Sequence, residues 1–265
     1  MPHAVVCVKP IPDPKEWDRL SLDPKTGVLK RAGISTVINP LDKNALEAAL
    51  QLKDRFGWTV TVVSMAPPDT QKTLREALAM GADKVLMASD RALGGADTLA
   101  TAYTLAALVR KAGEFDMVFC GNMSLDGSTN QVVPQLAEFL DIPHASHVAG
   151  IETDDGSTFR ITVDLKDALL TLEHDGPMVL GITKEANEPR LVSVMGIIAC
   201  QSKPIEVFSA EELGLDPQRI GQTGSPTMVS GLFMPEIKRR REILQGEPEE
   251  VVAKLIEGLK QTGVL

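Results

Sequence analysis

Over the first half of the chain, apolar residues fall in short unbroken runs, and these runs alternate with stretches of helical period. Residues 4–8, 59–65, 84–87 and 117–120 are such runs, too short for helices and bounded by Pro, Gly or polar residues. This pattern predicts buried parallel strands. Residues 41–53, 70–80, 98–111 and 132–140 place apolar side chains every three or four positions, which predicts helices. Asn39-Pro40 offers the first helix an N-cap and a preset first position, and Gly81 ends the second. Strand and helix alternating at this spacing imply an α/β fold, a mostly parallel sheet with helices on both faces.

The pattern then changes. The prolines in residues 10–14 end the first strand, and residues 20–30 read as a hairpin outside the main sheet. Residues 146–151, 159–164, 168–173 and 178–182 read as short strands with Asp-Gly turns, an antiparallel extension of the sheet. Residues 192–200 suit a short helix. From Ser209 the periodicity fades, and residues 221–235 read as an extended arm. Residues 238–241 are a basic run best taken as a solvated helix face. Glu247-Pro248 opens a last amphipathic helix, with Val251, Val252, Leu255, Ile256 and Leu259 on one side. The expected division is a nucleotide-binding α/β domain over residues 1–208 and a C-terminal arm and helix over 209–265, the latter packing on a partner subunit.

Composition narrows the functional classes. A formal charge of −9 without an extended basic stripe argues against nucleic acid, and 4% aromatic residues argue against a base-stacking surface. Cys7, Cys120 and Cys200 form no metal or disulfide pattern, and four histidines form no HExxH motif, so no metal site is expected. No signal peptide or membrane-spanning apolar run is present, so the expected location is the cytoplasm, without membrane insertion.

The candidate chemistry sits where strands end. After the strand 117–120 come Gly121, Asn122, a small polar loop, and a helix from Val132. A strand, a small-residue loop and a helix start together leave free N–H groups and a positive helix end aimed at one spot, which favours phosphate. Ser128, Thr129 and Asn130 can cap that helix or donate to phosphate oxygens. An ordinary capped turn is the competing reading of this loop. The ends near Cys7 and Met65, and the helix starts at Asn39 and at residues 94–98, fall on the same rim by alternation. Neither GxGxxG nor a P-loop nor a GxSxG elbow is present, and no acid/base or nucleophile grouping stands out. Gly94-Gly95-Ala96-Asp97-Thr98 looks like the pyrophosphate loop of ATP pyrophosphatases, so an ATP-dependent hydrolase or ligase stays as an alternative. Against it, Leu93 stands where that loop has Ser, and the segment does not follow the first strand.

Five stretches in order resemble the β subunit of electron transfer flavoprotein: Val8-Lys9-Pro10-Ile11-Pro12-Asp13, Asn39-Pro40 with residues 45–49, Leu78-Ala79-Met80-Gly81-Ala82-Asp83, residues 121–134, and Asn187-Glu188-Pro189-Arg190. The resemblance implies a Rossmann-like, adenine-nucleotide-binding sheet. It also implies a heterodimer with an α subunit that carries electrons to or from an acyl-CoA dehydrogenase-type flavoenzyme. One branch of the family holds structural AMP in β. The other holds a second FAD there, takes hydride from NAD(H), and splits the electron pair between a ferredoxin or flavodoxin and the dehydrogenase. Residues 89–101 and Gly224-Ser225-Pro226-Thr227 resemble the FAD-holding, bifurcating branch. Two departures stand out. Ser128 and Val133 replace an acid and a Gly of that branch's loop, and Asn187-Glu188-Pro189-Arg190 looks like the AMP branch.

The resemblance assigns the nucleotide to Cys7, to Asn39, Pro40, Leu41 and Asp42, and to Met65. It assigns the phosphates to Gly121, Asn122, Asp126, Gly127, Ser128, Thr129, Asn130, Gln131 and Val132. It sets Asp97, Thr98 and Thr101 toward the flavin, and Asn187, Glu188, Pro189, Arg190 and Val194 at the dehydrogenase, with Val194 as the apolar anchor. No catalytic residue is implied, and enzyme status is open, because a cofactor of this kind carries the redox chemistry itself.

Overall fold

Valine-rich runs and amphipathic stretches fold largely as their spacing predicts, in a computed structural model that describes residues 1–19, 21–22, 29–30, 33–228 and 241–265. In chain order the elements are β1 (His3–Cys7), β2 (Pro10–Pro12), β3 (Ser21–Leu22), β4 (Leu29–Lys30), β5 (Thr36–Ile38), α1 (Pro40–Phe56), β6 (Thr59–Met65), α2 (Gln71–Met80), β7 (Lys84–Ala88), α3 (Thr98–Lys111), β8 (Met117–Gly121), α4 (Val132–Leu140), β9 (His144–Glu152), β10 (Phe159–Asp164), β11 (Leu169–His174), β12 (Met178–Ile182), α5 (Val194–Ala199), β13 (Ile205–Phe208) and α6 (Pro248–Gln261).

Among the described residues, nine strands form one sheet in the order β11-β10-β9-β12-β8-β1-β6-β7-β13. Successive side chains of a strand point to opposite faces, so β1 sends Val6 one way and Val5 the other. Val6, Val60, Val62 and Phe119 meet Leu46, Leu50, Leu74 and Leu78 of α1 and α2. Val5, Val63, Leu86 and Val118 meet Leu105, Leu108 and Leu136 of α3 and α4. Each fully buried leucine on these faces contributes roughly 2 kcal/mol.

The strand order positions the site. From β1 the chain steps to β6 and then β7 on one side, and later crosses to β8 on the other side of β1. The order therefore reverses between β1 and β8. In open parallel sheets, a crevice for ligands forms beyond the carboxyl ends of the strands at such a reversal.

Several expectations are corrected. Of the four strands in the proposed antiparallel extension, β9, β10 and β11 do form an antiparallel ladder, and β12 does not join it. β12 is parallel to both β8 and β9 and lies between them. Its five residues are all buried, the unbroken apolar run of a covered parallel strand. β13, with no counterpart in the sequence reading, pairs parallel with β7 through the short segment Ile-Glu-Val-Phe. Pro10 and Pro12 do leave the main sheet, but the chain then forms a two-stranded ladder with β5. β3 and β4 pair outside the main sheet, and their connecting turn lies outside the described residues.

Contacts divide the chain into Met1–Val229 and Ser230–Leu265, whereas the sequence reading set the division at Ser209. Ala210, Leu215 and Ile220 are buried in the core formed with α3 and α4. The Arg219 guanidinium lies 4.2 Å from the centre of the Tyr103 ring, and the Asp216 N–H donates to the Tyr103 hydroxyl at 3.3 Å. Residues 229–235 of the expected arm, and 238–240 of the basic run, lie outside the described residues. In the second unit, α6 starts with Pro248 and two glutamates and leaves Val252, Leu255 and Ile256 exposed along one side. Among the described residues, no helix is long and apolar enough to cross a membrane.

Candidate functional site

Gly121 closes β8 against the start of α1. A Cβ at Gly121 would lie 2.3 Å from Asp42 Oδ1 and 2.8 Å from both the Asp42 nitrogen and the Leu41 carbonyl carbon. Only glycine permits that approach. It brings the end of β8 onto the first turn of α1, beside the end of β1.

Asn39 ties these parts together. It precedes Pro40 at the N-cap position, but its side chain makes no cap hydrogen bond, contrary to the simplest reading of Asn-Pro. Its Nδ2 donates to Asp42 Oδ1 at 2.9 Å and to the Met123 carbonyl at 2.9 Å, and its Oδ1 accepts from the Leu125 N–H at 3.1 Å. One buried carboxamide thus fastens the loop after β8 to the front of α1. Asp42 is buried too. Its Oδ2 accepts from the Lys9 N–H at 2.7 Å, and the Gly121 N–H also donates to its carboxylate. Burial pushes its pKa up to about 7 even though Asn39, Lys9 and Gly121 favour the charged form.

The loop of residues 121–131 is built as a concavity. Ser128 and Asn130 have φ of 51° and 58°, so left-handed residues alternate along it. Successive N–H groups in such a sequence turn toward a common point, an arrangement that binds anions. Among the described residues, the N–H groups of Gly127, Thr129 and Asn130 meet no protein acceptor. Ser128 Oγ donates back to the Ser124 and Leu125 carbonyls, and Gln131 stands at the N-cap of α4 without a side-chain cap bond. None of Ser128, Thr129 and Asn130 caps the helix, so its first N–H groups stay open. This combination of open N–H groups and a glycine-made recess fits a nucleotide's phosphates.

Other expected residues have different partners. Asn122 is buried, and its Oδ1 accepts from the His147 N–H at 2.8 Å, so its side chain braces β9. Cys7 is buried beside Cys120 in the β1–β8 register, and hydrogen bonding with Cys7, with burial, pushes the Cys120 thiol up. Met65 ends β6, half-buried against the α3 face. Pro40 and Leu41 form the first turn of α1, exposed and half-buried, and Val132 is half-buried at the start of α4.

Asp97 caps α3. Its Oδ1 accepts from the Leu99 and Ala100 N–H groups at 3.0 and 3.1 Å. Its Oδ2 accepts from the N–H and hydroxyl of Thr227, and its own N–H donates to Ser225 Oγ at 2.8 Å. Burial raises its pKa, but the hydrogen bonds from Ala100, Thr227 and Leu99 outweigh this and hold it below the usual range. Thr98 Oγ1 donates to Gln131 Oε1 at 3.1 Å, joining the start of α3 to the end of the phosphate-type loop. Thr101 lies one turn on, half-buried.

The four residues 187–190 are gripped by α1. Asn44 Nδ2 donates to the Asn187 carbonyl at 2.7 Å, and Asn187 Nδ2 donates to the Asn44 carbonyl at 3.0 Å. Arg190 forms a two-pronged pair with buried Glu47, Nε to Oε2 at 2.7 Å and Nη2 to Oε1 at 3.1 Å, and reaches Asp54 at 2.8 Å. Glu188 is exposed and Pro189 half-buried. Beyond this anchor, Gly196 brings α5 against α2, where a Cβ would lie 2.2 Å from the Ala79 carbonyl oxygen. With glycine inward, the apolar side chains face out: Leu191 is 93% exposed, and Val194 and Met195 are 73% exposed.

Sequence reasoning placed Lys9 and Glu47 in motifs but gave neither a role. Lys9 Nζ donates to Asp126 Oδ1 at 2.6 Å and to Ser124 Oγ at 3.3 Å. A lysine directly after a buried strand at the sheet's carboxyl edge was the available signal. A separate cavity of about 450 Å³, lined by Arg55, Glu152, Asp155, Arg160 and Glu173 among others, shares no residue with this crevice.

Residues 26–213 match the electron transfer flavoprotein domain. The chain belongs to the electron transfer flavoprotein family. It is 42% identical to the electron transfer flavoprotein subunit beta of Clostridium acetobutylicum over 98% of each chain. It is 40% identical to the caffeyl-CoA reductase-Etf complex subunit CarD of Acetobacterium woodii, over 98% of this chain and 99% of that one. It is 39% identical to the acryloyl-CoA reductase electron transfer subunit gamma of Anaerotignum propionicum, over 98% of each. Membership assigns the chain to electron transfer and accounts for the lack of an acid/base or nucleophile constellation.

Proposed function

We propose that the chain is the β subunit of a cytoplasmic heterodimeric electron transfer flavoprotein, and that it holds FAD at the β1–β8 crevice. The carrying observation is the recess formed by Gly121, the Asn39 carboxamide and the open N–H groups of Gly127, Thr129 and Asn130. Asn39 to Asp42, Gly121 and residues 126–132 would hold the phosphates and the adjoining part of the nucleotide. FAD rather than AMP is favoured because the two stretches that resemble the FAD-holding branch, residues 89–101 and 224–227, are joined through Asp97. Thr98 connects them in turn to the phosphate loop through Gln131. A bound flavin supplies the redox chemistry; this chain's residues bind and orient it.

The wider reading is flavin-based bifurcation, with NAD(H) as transient substrate, ferredoxin or flavodoxin as one acceptor, and an acyl-CoA dehydrogenase-type enzyme as the other partner. The names of the relatives from Acetobacterium woodii and Anaerotignum propionicum point to CoA-ester reductases for those proteins. The exposed apolar stripe of α6 suits packing on the α subunit. Counting nucleotides in the purified heterodimer tests the cofactor. Two FAD per heterodimer, bleached by NADH, are expected; one FAD with extractable AMP would overturn the FAD assignment and leave the AMP-holding alternative.

The dehydrogenase is proposed to dock on residues 187–199, with Val194 as the anchor. A few apolar anchors in a desolvated pocket carry most of an interface's binding energy. Val194→Asp is expected to slow electron transfer to the dehydrogenase by about tenfold or more with nucleotide content unchanged. Stopped-flow transfer rates check this, and a wild-type rate would remove Val194 from the interface.

A further inference from the structure

Residues 187–203 run across α1 and α2 as a strap pinned at both ends. At the first end, α1 presents Asn44 and Glu47 on one face, three residues apart. Besides the two prongs of its guanidinium, Arg190 gives its backbone N–H to Glu47 Oε2 at 3.1 Å. At the second end, α2 presents Arg75 and Ala79, one turn apart on one face. Arg75 Nη1 donates to the Cys200 carbonyl at 2.9 Å, and Lys203 Nζ donates to the Ala82 carbonyl at 2.6 Å. Cys200 itself is buried. Ala79 takes the middle of the strap, where Gly196 closes on its carbonyl.

What lies between the pins cannot hold itself. α5 has six residues, none of them buried, and a helix that short is marginal in water. Its N-cap bond runs from the Gly196 N–H to Ser193 Oγ at 3.0 Å. Leu191, Val194 and Met195 stand out from it, and Ile197 and Ile198 are more than half exposed as well. An apolar patch of this kind marks a protein contact. Left loose, these side chains would have to be ordered at each encounter, and ordering costs affinity. Pinning the strap removes that cost in advance.

Arg75 is the pin that the fold can spare. The Cys200 carbonyl also accepts from the Lys203 N–H at 3.3 Å, so loss of the guanidinium leaves that carbonyl partnered. We propose that Arg75 is a positioning residue for docking: with the Glu47–Arg190 pair at the opposite end, it holds residues 191–199 as a preformed apolar platform for the dehydrogenase-type flavoenzyme. Arg75 acts through the Cys200 carbonyl and does not touch the partner. The inference rests on the reading of residues 187–199 as the docking segment.

The intact heterodimer carrying Arg75→Met, Arg75→Lys or Val194→Asp tests it, with a purified acyl-CoA dehydrogenase reduced by its acyl-CoA substrate as the probe. Arg75→Met is expected to raise the KM for the dehydrogenase about fivefold, with kcat and nucleotide content near the wild type. Arg75→Lys keeps a donor and is expected to recover most of the loss. In the free heterodimer, amide hydrogen exchange over residues 191–199 is expected to quicken in Arg75→Met, a change that loss of a direct partner contact would not produce. An unchanged KM in Arg75→Met would overturn the inference. So would a fall in kcat alone, or a raised KM with wild-type exchange, which would make Arg75 itself a contact residue. Should Arg75→Met fail to assemble, Arg75→Gln carries the same comparison. Val194→Asp separates the underlying reading. If it transfers electrons at the wild-type rate, or if the wild-type heterodimer accepts none from the dehydrogenase, the docking reading falls, and this inference with it. A slowed Val194→Asp beside an unchanged Arg75→Met would remove the role of Arg75 alone.

Discussion

Gly121→Ala is expected to destabilise the fold by about 3 kcal/mol and to empty the nucleotide site. The added methyl would meet the Asp42 nitrogen and the Leu41 carbonyl carbon at 2.8 Å, and Asp42 Oδ1 at 2.3 Å. Two of those three atoms belong to the backbone of a helix start, so no rotamer change relieves the contact. Either α1 moves away from β8 or the end of β8 bends. Both movements pull Asn39 from Met123 and Leu125, and the loop of residues 121–131 loses its fastening. Thermal unfolding and the nucleotide content of the purified complex read the two effects. An alanine variant with wild-type stability and full nucleotide content would show that this contact does not shape the site.

The second large effect follows pH. Asp42 has a folded pKa of about 7 against an ordinary value of 3.8, because burial outweighs the hydrogen bonds from Asn39, Lys9 and Gly121. The group holds its proton more tightly in the fold than in the unfolded chain. Its stabilising contribution is complete below about pH 4, declines as pH rises, and is gone above about pH 7. Three pH units of tighter proton binding correspond to about 4 kcal/mol as an upper bound. The charged and titratable groups facing Asp42 are Lys9 at the end of β1 and Cys120, paired with Cys7, on β8. Asp42→Asn is expected to lose absolute stability, since an amide nitrogen would face donors from Asn39 or Lys9. It is also expected to flatten the decline across this window. Urea unfolding of both proteins at several pH values checks the slope, and equal slopes would remove Asp42 as its source.

The layered α/β body was legible because buried parallel strands and amphipathic helices write different periods. The runs at Val5, Val62 and Val118 and the helical stripes of α1 to α4 needed no tertiary information. Strand order was not legible. Nothing local tells β12 to enter between β8 and β9; its covered character shows only as five apolar residues in a row. β13 is four residues long and shows no clear alternation, too little for a window to separate from a loop. At the site, the small-residue loop after β8 announced a concavity, and Asn39-Pro40 announced a helix start. The carboxamide's distant partners, Met123 and Leu125, are more than eighty residues away in the chain and could not be read from spacing. Ser128 and Asn130 could cap α4 or face phosphate; both take left-handed backbone, and neither caps the helix. The partners that hold Asp97, the start of α3 with Ser225 and Thr227, were likewise invisible to spacing. A polar residue at a helix start declares that it will accept hydrogen bonds, and the fold decides from whom.

Helix α1 has Asn39 and Asp42 at its front and grips residues 187–190, the segment proposed for docking, through Asn44 and Glu47. It therefore works as a ruler. From Asn39 to Glu47 is eight residues, or about 12 Å along the axis. On the proposed reading, that length sets how far the docking segment lies from the phosphate loop. Inserting one residue between those positions would turn Glu47 by about 100° away from Arg190 as well as lengthen the span. The surface loops can drift in length, but this interval has only one working value.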